Sequence, residues 1–242
     1  MSGPVCVTRN AWESDFFGRT IVRVELGDGT GAGLTEAMAR HPRDVLFEAS
    51  VEAGRFDMLR VFTEAGFFVS DAQVDFERRI GEPGSEAATG PSPPIRLTTV
   101  SDLPILQGFA ASTPFASRFY RPPFSQEDGR RFYARWLENA VLGRFDDVCF
   151  FAADGSEPAG FVTIRKVDVE NCRIGLLSVA SAWRGRGLAQ ALWVRAEAWC
   201  AEAGRARLRV ATQAGNIPAM RFYESVGCKV SSAHWRLYRA AA

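Results

Sequence analysis

The stretch that most constrains this chain is a short apolar run, a glycine-rich turn and a helix-like segment in residues 174–192. The apolar run at its start predicts a buried strand. After the letters R-G-R-G-L-A, apolar side chains recur at helical spacing, at Leu188, Leu192 and Trp199. Glycines let a ligand approach the backbone, and the first N–H groups of a helix have no intrahelical partner. The unit therefore predicts an anion-binding loop of the kind that holds phosphates.

Residue identities exclude two common phosphate loops. A nucleotide P-loop requires Gly-Lys followed by Ser or Thr, which is absent here. A dinucleotide fingerprint requires Gly or Ala at the position of Gln190 and an acidic residue about twenty residues later, and neither is found. The pattern that fits is R-x-x-G-x-A, formed by Arg184, Gly187 and Ala189. Taken alone, this hexamer is also compatible with an ordinary strand-to-helix turn.

A second motif follows the first at a suitable distance. Gly204 is placed to end the helix, and the alternating segment Arg205–Thr212 predicts a strand. The pattern N-x-x-A-x-x-F-Y-x-x-x-G then runs from Asn216 to Gly227. The two motifs in this order resemble those of the GCN5-related N-acetyltransferases. The resemblance, from Ile95 onward, implies an α/β (α+β) fold with a mixed, mostly antiparallel twisted sheet flanked by helices.

This resemblance also implies a co-substrate and a set of site residues. The co-substrate is acetyl-coenzyme A, whose pyrophosphate lies on the glycine loop and whose pantetheine arm pairs with the strand before it. Tyr223 matches the tyrosine taken as general acid for the leaving thiolate, and a phenol of pKa ~10 carries its proton at neutral pH. A core tyrosine with a satisfied hydroxyl is the alternative. The implied coenzyme-binding residues are Leu177, Ser178, Val179, Arg184, Gly185, Arg186, Gly187, Leu188, Ala189 and Asn216.

The sequence does not reveal a general base. His41 lies outside the acetyltransferase-like region, and His234 sits in an alternating strand, where histidine is more often structural. Glu138, Asp146 and Asp147 are candidates, although a glutamate on a helix face and an aspartate pair in a turn are usually solvated. A water relay, or binding of the amine already neutral, stays open.

The acceptor segment carries a more specific resemblance. The patterns S-R-F and G-R-R-F-Y-A-R-W-L-E-N-A-V-L-G-R-F-D are similar to those of the dTDP-fucosamine acetyltransferases of enterobacterial common antigen synthesis. That similarity implies N-acetylation of dTDP-4-amino-4,6-dideoxygalactose. Arginines of the segment would pair with the pyrophosphate and aromatic rings would stack on the base, while a solvated basic face is the alternative. The candidate acceptor-binding residues are Arg118, Phe119, Tyr120, Arg121 and Arg130.

Two other functions remain open at this point. An acetyltransferase for another amine, such as a polyamine, an antibiotic or a protein N-terminus, would share the coenzyme loop and differ in its acceptor. A non-catalytic coenzyme-binding module would bind coenzyme A without turnover, although Tyr223 and the intact loop argue against it.

The composition limits the classes of binding partner and the cellular compartment that we expect for this chain. The formal net charge is +1, so no overall field favours nucleic acid or an anionic membrane. Five cysteines without C-x-x-C spacing and two histidines argue against a disulfide framework or a metal centre and favour a reducing compartment. Neither a signal peptide nor a membrane-spanning run is evident, so we expect a cytoplasmic protein with a small-molecule substrate. The oligomeric state is not determined, and a homodimer is compatible with the sequence.

The chain divides into residues 1–80, a Gly/Pro/Ser-rich linker at 81–94, and 95–242. The stretch 58–70 aligns with 219–231, and both contain a central glycine. The first unit is therefore a candidate degenerate copy of the C-terminal half of the acetyltransferase fold, without an R-x-x-G-x-A loop. Unrelated helix–glycine–strand units are the alternative. Local patterns predict strands at Thr20–Leu26, Asp44–Ser50, Ile95–Thr99, Val148–Ala152, Ala159–Lys166 and His234–Arg239, a strand pair over Phe67–Ile80, and helices at Asp57–Ala65 and Gly129–Gly143.

Overall fold

The computed structural model describes residues 5–27, 30–82, 93–112 and 117–240. Its strands are β1 (Val5–Arg9), β2 (Ile21–Leu26), β3 (Leu46–Glu52), β4 (Phe68–Arg79), β5 (Ile95–Leu97), β6 (Val148–Asp154), β7 (Glu157–Lys166), β8 (Asn171–Val179), β9 (Arg207–Gln213) and β10 (Lys229–Ala240). Its α-helices are α1 (Ala11–Phe17), α2 (Leu34–Ala39), α3 (Phe56–Glu64), α4 (Leu103–Ser112), α5 (Gln126–Val141), α6 (Leu188–Glu202) and α7 (Ile217–Ser225).

All ten strands of the described residues form one sheet, in the order β1-β2-β3-β10-β4-β9-β8-β7-β6-β5. Most neighbours are antiparallel, and only β2–β3 and β8–β9 are parallel. The predicted mixed, mostly antiparallel sheet flanked by helices is therefore confirmed. The sheet contains strands from both predicted units, so the division at 81–94, most of which lies outside the described residues, stays a prediction.

Successive residues of β10 show which helices cover each face of the sheet. Leu237 points to the face on which α2, α3, α6 and α7 pack. Tyr238 points to the opposite face, where α1, α4 and α5 form an aromatic core around Phe132 and Phe119. Helix α5 begins with a capping box in which Ser125 and Asp128 bond each other's backbone N–H groups, which secures the entry to this core.

Two strand–helix–strand units repeat with the same lengths. The elements β3, α3 and β4 recur as β9, α7 and β10 after a shift of 161 residues (46 to 207, 56 to 217 and 68 to 229). Gly66 and Gly227 both follow the helix with positive φ, 86° and 81°. The pairing is reciprocal, because β4 pairs with β9, β10 pairs with β3, and β4 pairs with β10. These coincidences support the partial internal copy predicted from the sequence.

The copy also retains a glycine pair that the sequence alignment of the two units did not include. Gly31 and Gly33 have φ of 72° and 80° and precede α2, just as Gly185 and Gly187, with 71° and 81°, precede α6. A Cβ on Gly31 would meet Cγ1 of Val61 at 2.2 Å, whereas one on Gly185 would meet nothing within 4 Å. The first loop is thus closed by α3, and the second is open.

Two local predictions are corrected by the structure. Phe67–Ile80 is one long strand rather than a strand pair, because no turn residue interrupts its alternation. The last strand begins at Lys229, before the predicted His234. Helix α1, for which no element was predicted, has its first turn capped by the Asn10 side chain.

Candidate active site

The centre of the candidate site is a gap between β8 and β9. These parallel strands pair only from Asn171–Arg207 to Arg173–Arg209. Strand β8 nevertheless continues to Val179 and β9 to Gln213, so beyond these pairs the two backbones separate. The predicted Leu177–Val179 segment lies in this separated part, while on its other side it pairs with β7. The gap offers unpaired backbone groups to an extended ligand.

The glycine turn lies at the open end of this gap. Gly187 is the N-cap of α6 and makes no side-chain cap, so the first N–H groups of the helix are left for a ligand. Arg184 donates from Nε to the Val179 carbonyl at 3.2 Å, and the Arg186 guanidinium lies 5.2 Å from the Trp183 ring centroid. Both arginines thus remain beside the turn, where their charge favours an anion.

We predict that Gly185→Ala raises KM for acetyl-coenzyme A about tenfold, because alanine strains a φ of 71° in the loop that would hold the pyrophosphate. Gly204→Ala is a matched control, since Gly204 has φ of 69°, lies at the other end of α6, and an added Cβ there would also meet nothing within 4 Å. Steady-state kinetics on both variants tests this. Equal KM values in the two variants would contradict the role of the loop.

Tyr223 lies on α7 beside the aromatic core of this half. It is 6% exposed and packs against Phe76, Trp193 and Phe222 at centroid distances of 5.5, 6.0 and 5.5 Å. Burial raises the pKa of the Tyr223 phenol above its usual value, so the group keeps its proton at neutral pH. A protonated phenol at this position is able to donate its proton to a leaving group.

Asn216 has a visible structural role. Its side-chain oxygen accepts from the Ala219 N–H at 3.4 Å and caps α7, and its amide donates to Thr212 Oγ1 at 3.1 Å. The predicted contact of Asn216 with the coenzyme stays a prediction. The cap explains why asparagine suits this position even without a ligand.

The five predicted acceptor-binding residues divide by exposure. Arg118 and Phe119 are inside the protein: Arg118 pairs with Glu13, donates to the Tyr238 hydroxyl and lies 4.2 Å from the Phe119 ring centroid. These contacts hold Arg118 in a buried charge cluster. The other members, Tyr120, Arg121 and Arg130, are partly or fully exposed.

Asp146 is buried, which corrects the expectation of a solvated turn residue. Its carboxylate accepts from Trp136 Nε1 at 2.9 Å, Thr163 Oγ1 at 2.6 Å and an Arg165 guanidinium nitrogen at 3.0 Å. A Cβ on Gly175 would lie 2.4 Å from Asp146 Oδ2, so only glycine fits there. Asp146 therefore supports β8 where the gap opens. The apolar residues Phe145 and Val148, which flank the aspartate pair in sequence, were a signal for this burial. Asp147 remains partly exposed.

Separated parallel strands, a glycine turn and an uncapped helix N-terminus suit a coenzyme A-dependent acyltransferase, because they offer unpaired backbone groups to an extended, anionic ligand. The comparisons with known proteins agree with this class. A family model described as "Acetyltransferase (GNAT) family" matches residues 113–228. The dTDP-fucosamine acetyltransferase of Escherichia coli O6:H1 (strain CFT073) is 32% identical over 230 residues, covering 94% of this chain and 95% of that protein. The chain belongs to the acetyltransferase (GNAT) family and is an N-acetyltransferase.

Solved structures with low sequence identity share the fold. A GCN5-related N-acetyltransferase from Sphaerobacter thermophilus has a TM-score of 0.64 and 18% identity, covering 98% of this chain and 76% of its own. A tandem GNAT protein from the clavulanic acid biosynthesis pathway has a TM-score of 0.63 and 16% identity, with coverages of 92% and 75%.

Members of this family use acetyl-coenzyme A, and the loop observed here suits its pyrophosphate. Across the described ranges, no cluster of three or more histidine, cysteine or acidic residues is arranged to hold a metal ion. In the same part of the chain, no helix is both long enough and apolar enough to cross a membrane.

Proposed function

We propose that this enzyme transfers the acetyl group of acetyl-coenzyme A to the 4-amino group of a dTDP-amino-dideoxy sugar, namely dTDP-4-amino-4,6-dideoxy-D-galactose, for cell-surface polysaccharide synthesis. The observation that carries the proposal is the 32% identity to a dTDP-fucosamine acetyltransferase over nearly the whole of both chains. The match extends well beyond the candidate coenzyme-binding residues 177–216. It therefore supports a shared acceptor class as well as a shared coenzyme.

Within this proposal, acetyl-coenzyme A lies along β8. Its pyrophosphate oxygens accept hydrogen bonds from backbone N–H groups of the turn 184–189, and Arg184 and Arg186 add positive charge. The pantetheine arm pairs with the open backbone of Leu177–Val179. An N–H group in this stretch donates to the thioester oxygen, which becomes more negative as the amine attacks.

Tyr223 supplies the proton in the second half of the reaction. The neutral amine attacks the carbonyl carbon, a C–N bond forms and the C–S bond breaks. The sulfur leaves as a thiolate and takes the proton of the buried Tyr223 phenol. We assign no side chain as base, because Asp146 already accepts three hydrogen bonds. Water removes the amine proton, and solvent returns a proton to the Tyr223 phenolate after the thiol has formed.

The surface near α5 favours an anionic acceptor. Arg121 and Arg130 are exposed, and Arg130 is only loosely paired with Glu127 at 3.6 Å. Tyr120 stacks on Tyr133 at 5.8 Å and is partly exposed. A polyamine would be repelled by such a surface, which makes an acetyltransferase for a polycation the weaker alternative.

The test measures thiol release from acetyl-coenzyme A with the dTDP-4-amino sugar, with spermidine and with an N-terminal peptide. We expect kcat/KM at least a hundredfold higher for the nucleotide sugar, since only it presents both an amine and a diphosphate. The matching sugar phosphate without the nucleotide serves as the control for base recognition. Equal or faster turnover of spermidine would refute the proposed acceptor while leaving the acetyltransferase class intact.

Three further expectations belong to the same proposal. A cytoplasmic location suits an enzyme that uses acetyl-coenzyme A and a nucleotide sugar. A homodimer and the boundary between residues 1–80 and 95–242 stay predictions, which size-exclusion chromatography with light scattering and limited proteolysis can test.

A further inference from the structure

An open cavity of about 610 Å³ lies on the face of the sheet opposite α6 and α7. It crosses five neighbouring strands, from β8 to β3. One end is at the Arg173–Arg209 pair, the last pair before β8 and β9 separate. The other end is at Arg236 on β10, whose Cα partners are Ser50 and Asp71. Its lining residues are Ser50, Gln73, Asp75, Glu77, Arg173, Arg209, Ser231, Ser232, His234 and Arg236.

The charged side chains of this cavity are not equally satisfied. Arg173 donates to Asp75 at 2.8 Å, and Asp75 also accepts from Gln73. Arg209 lies 3.4 Å from Glu77. The two carboxylates that line the cavity are therefore already paired with arginines of its wall, and Arg236 is left as the third cation.

Arg236 has no hydrogen-bond acceptor among the described residues. Its side chain is 16% exposed, and its nearest carboxylate oxygen, Oε2 of Glu48, is 3.7 Å away. Arg23 and the Asn10 amide donate to the other oxygen of this carboxylate, Oε1, at 3.1 and 2.9 Å, so Oε2 accepts no hydrogen bond and faces Arg236. The ion pairs around it are unequal in charge, because three guanidinium groups (Arg23, Arg118 and Arg236) meet two carboxylates (Glu13 and Glu48). Burial and then the nearby charge of Arg118 lower the pKa of Arg236. A guanidinium held in this way has unused donors, and a bound anion would relieve its desolvation.

We propose that Arg236 binds a phosphate of the acceptor's nucleoside diphosphate, with the cavity holding the phosphate-bearing part of that substrate. This inference rests on the proposed function. A ligand anchored at Arg236 extends along the cavity to the Arg173–Arg209 end, so its amine reaches the place where β8 and β9 separate. Ser50 and Ser232 add hydroxyl groups, and a planar guanidinium suits bidentate contact with phosphate oxygens.

The test is calorimetric titration of dTDP into the wild type and three variants. Arg236→Gln removes the cation, and Glu48 keeps its contacts with Arg23 and Asn10. Ser50→Phe fills the cavity opposite Arg236 from an exposed position and changes no charge. Arg60→Gln is the control, because Arg60 is a 75% exposed arginine on α3, on the other side of the sheet.

We expect dTDP affinity to fall at least tenfold in Arg236→Gln and Ser50→Phe and to stay within twofold in Arg60→Gln. Coenzyme A affinity, titrated separately, stays within twofold in all of them, which excludes the coenzyme's phosphates as the occupant. Three results would each overturn the inference. They are an unchanged dTDP affinity in both cavity variants, no dTDP binding to the wild type, and a loss of coenzyme A affinity in place of dTDP affinity. If Arg236→Gln does not fold, Ser50→Phe decides.

The outcome is separable from that of the proposed function. Loss of dTDP binding in the cavity variants without any acetyl transfer to the dTDP-amino sugar would support the cavity and refute the acceptor. Rapid transfer to that sugar, with unchanged dTDP binding in the cavity variants, would support the proposed acceptor and refute the role of the cavity.

Discussion

Replacing Tyr223 by phenylalanine is expected to lower kcat at least tenfold, equivalent to about 1.4 kcal/mol of barrier. The substitution removes only the hydroxyl, and the ring keeps its contacts with Phe76 and Trp193. KM for acetyl-coenzyme A should stay within twofold, because the loop is untouched. Phe222→Leu, a change in the adjacent side chain of α7 that leaves the hydroxyl in place, is the control and should retain most of kcat.

The pH profile gives a second measurement on the same residue. Burial raises the pKa of Tyr223 above the usual value of about 10, so the phenol stays protonated below that pH. The rate should therefore rise between pH 7 and 9 as the acceptor amine loses its proton, without a falling limb from Tyr223. Turnover unchanged in Tyr223→Phe at every pH would remove this tyrosine from the mechanism.

Replacing Arg78 by methionine is expected to lower the free energy of unfolding by about 3–5 kcal/mol. Arg78 lies on β4, is 3% exposed on its side chain and pairs with Glu197 of α6. It also donates to the carbonyls of Val226 and Glu82, both at 2.6 Å. Its removal leaves a largely buried carboxylate and two carbonyl groups without their donor.

Urea denaturation followed by far-ultraviolet circular dichroism measures this loss. Arg79→Met is the matched control, since Arg79 is the next residue and is exposed, and we expect its effect to be within about 0.5 kcal/mol. The double variant Arg78→Met with Glu197→Leu should recover part of the stability, because no charge then stays buried. A loss below about 1 kcal/mol in Arg78→Met would show that solvent replaces these contacts.

Local patterns predicted the coenzyme half well because its signals are short-range. The glycine turn, the helix periodicity after it and the capped helix at Asn216 each depend on a few consecutive residues. The uninterrupted alternation of β4 was also visible, and reading it as two strands ignored the absence of a turn residue. Helix α1 had the signal of Asn10 followed by Glu13 three residues later, which is typical of an N-terminus.

Local patterns could not predict the strand order, nor which arginines are buried and which are exposed. Arg118 and Arg121 are three residues apart and look alike in sequence, yet Arg118 is enclosed by Glu13 and Tyr238 while Arg121 is exposed. Glu13 comes from far along the chain, so its pairing depends on the folded sheet. For the same reason Arg236 received no role until the strands around it were placed.

The position of β10 between β3 and β4 has a consequence for biosynthesis. Strands β3 and β4 are made early, but their shared neighbour is the last strand of the described chain. When the first half leaves the ribosome, the position between β3 and β4 is therefore still unfilled. The facing edges of these two strands have unpaired backbone groups, which can pair with other chains. Pairing over so long a sequence separation is slow to form. We expect nascent chains that stop before Lys229 to be retained by chaperones or degraded, and full-length chains to be released.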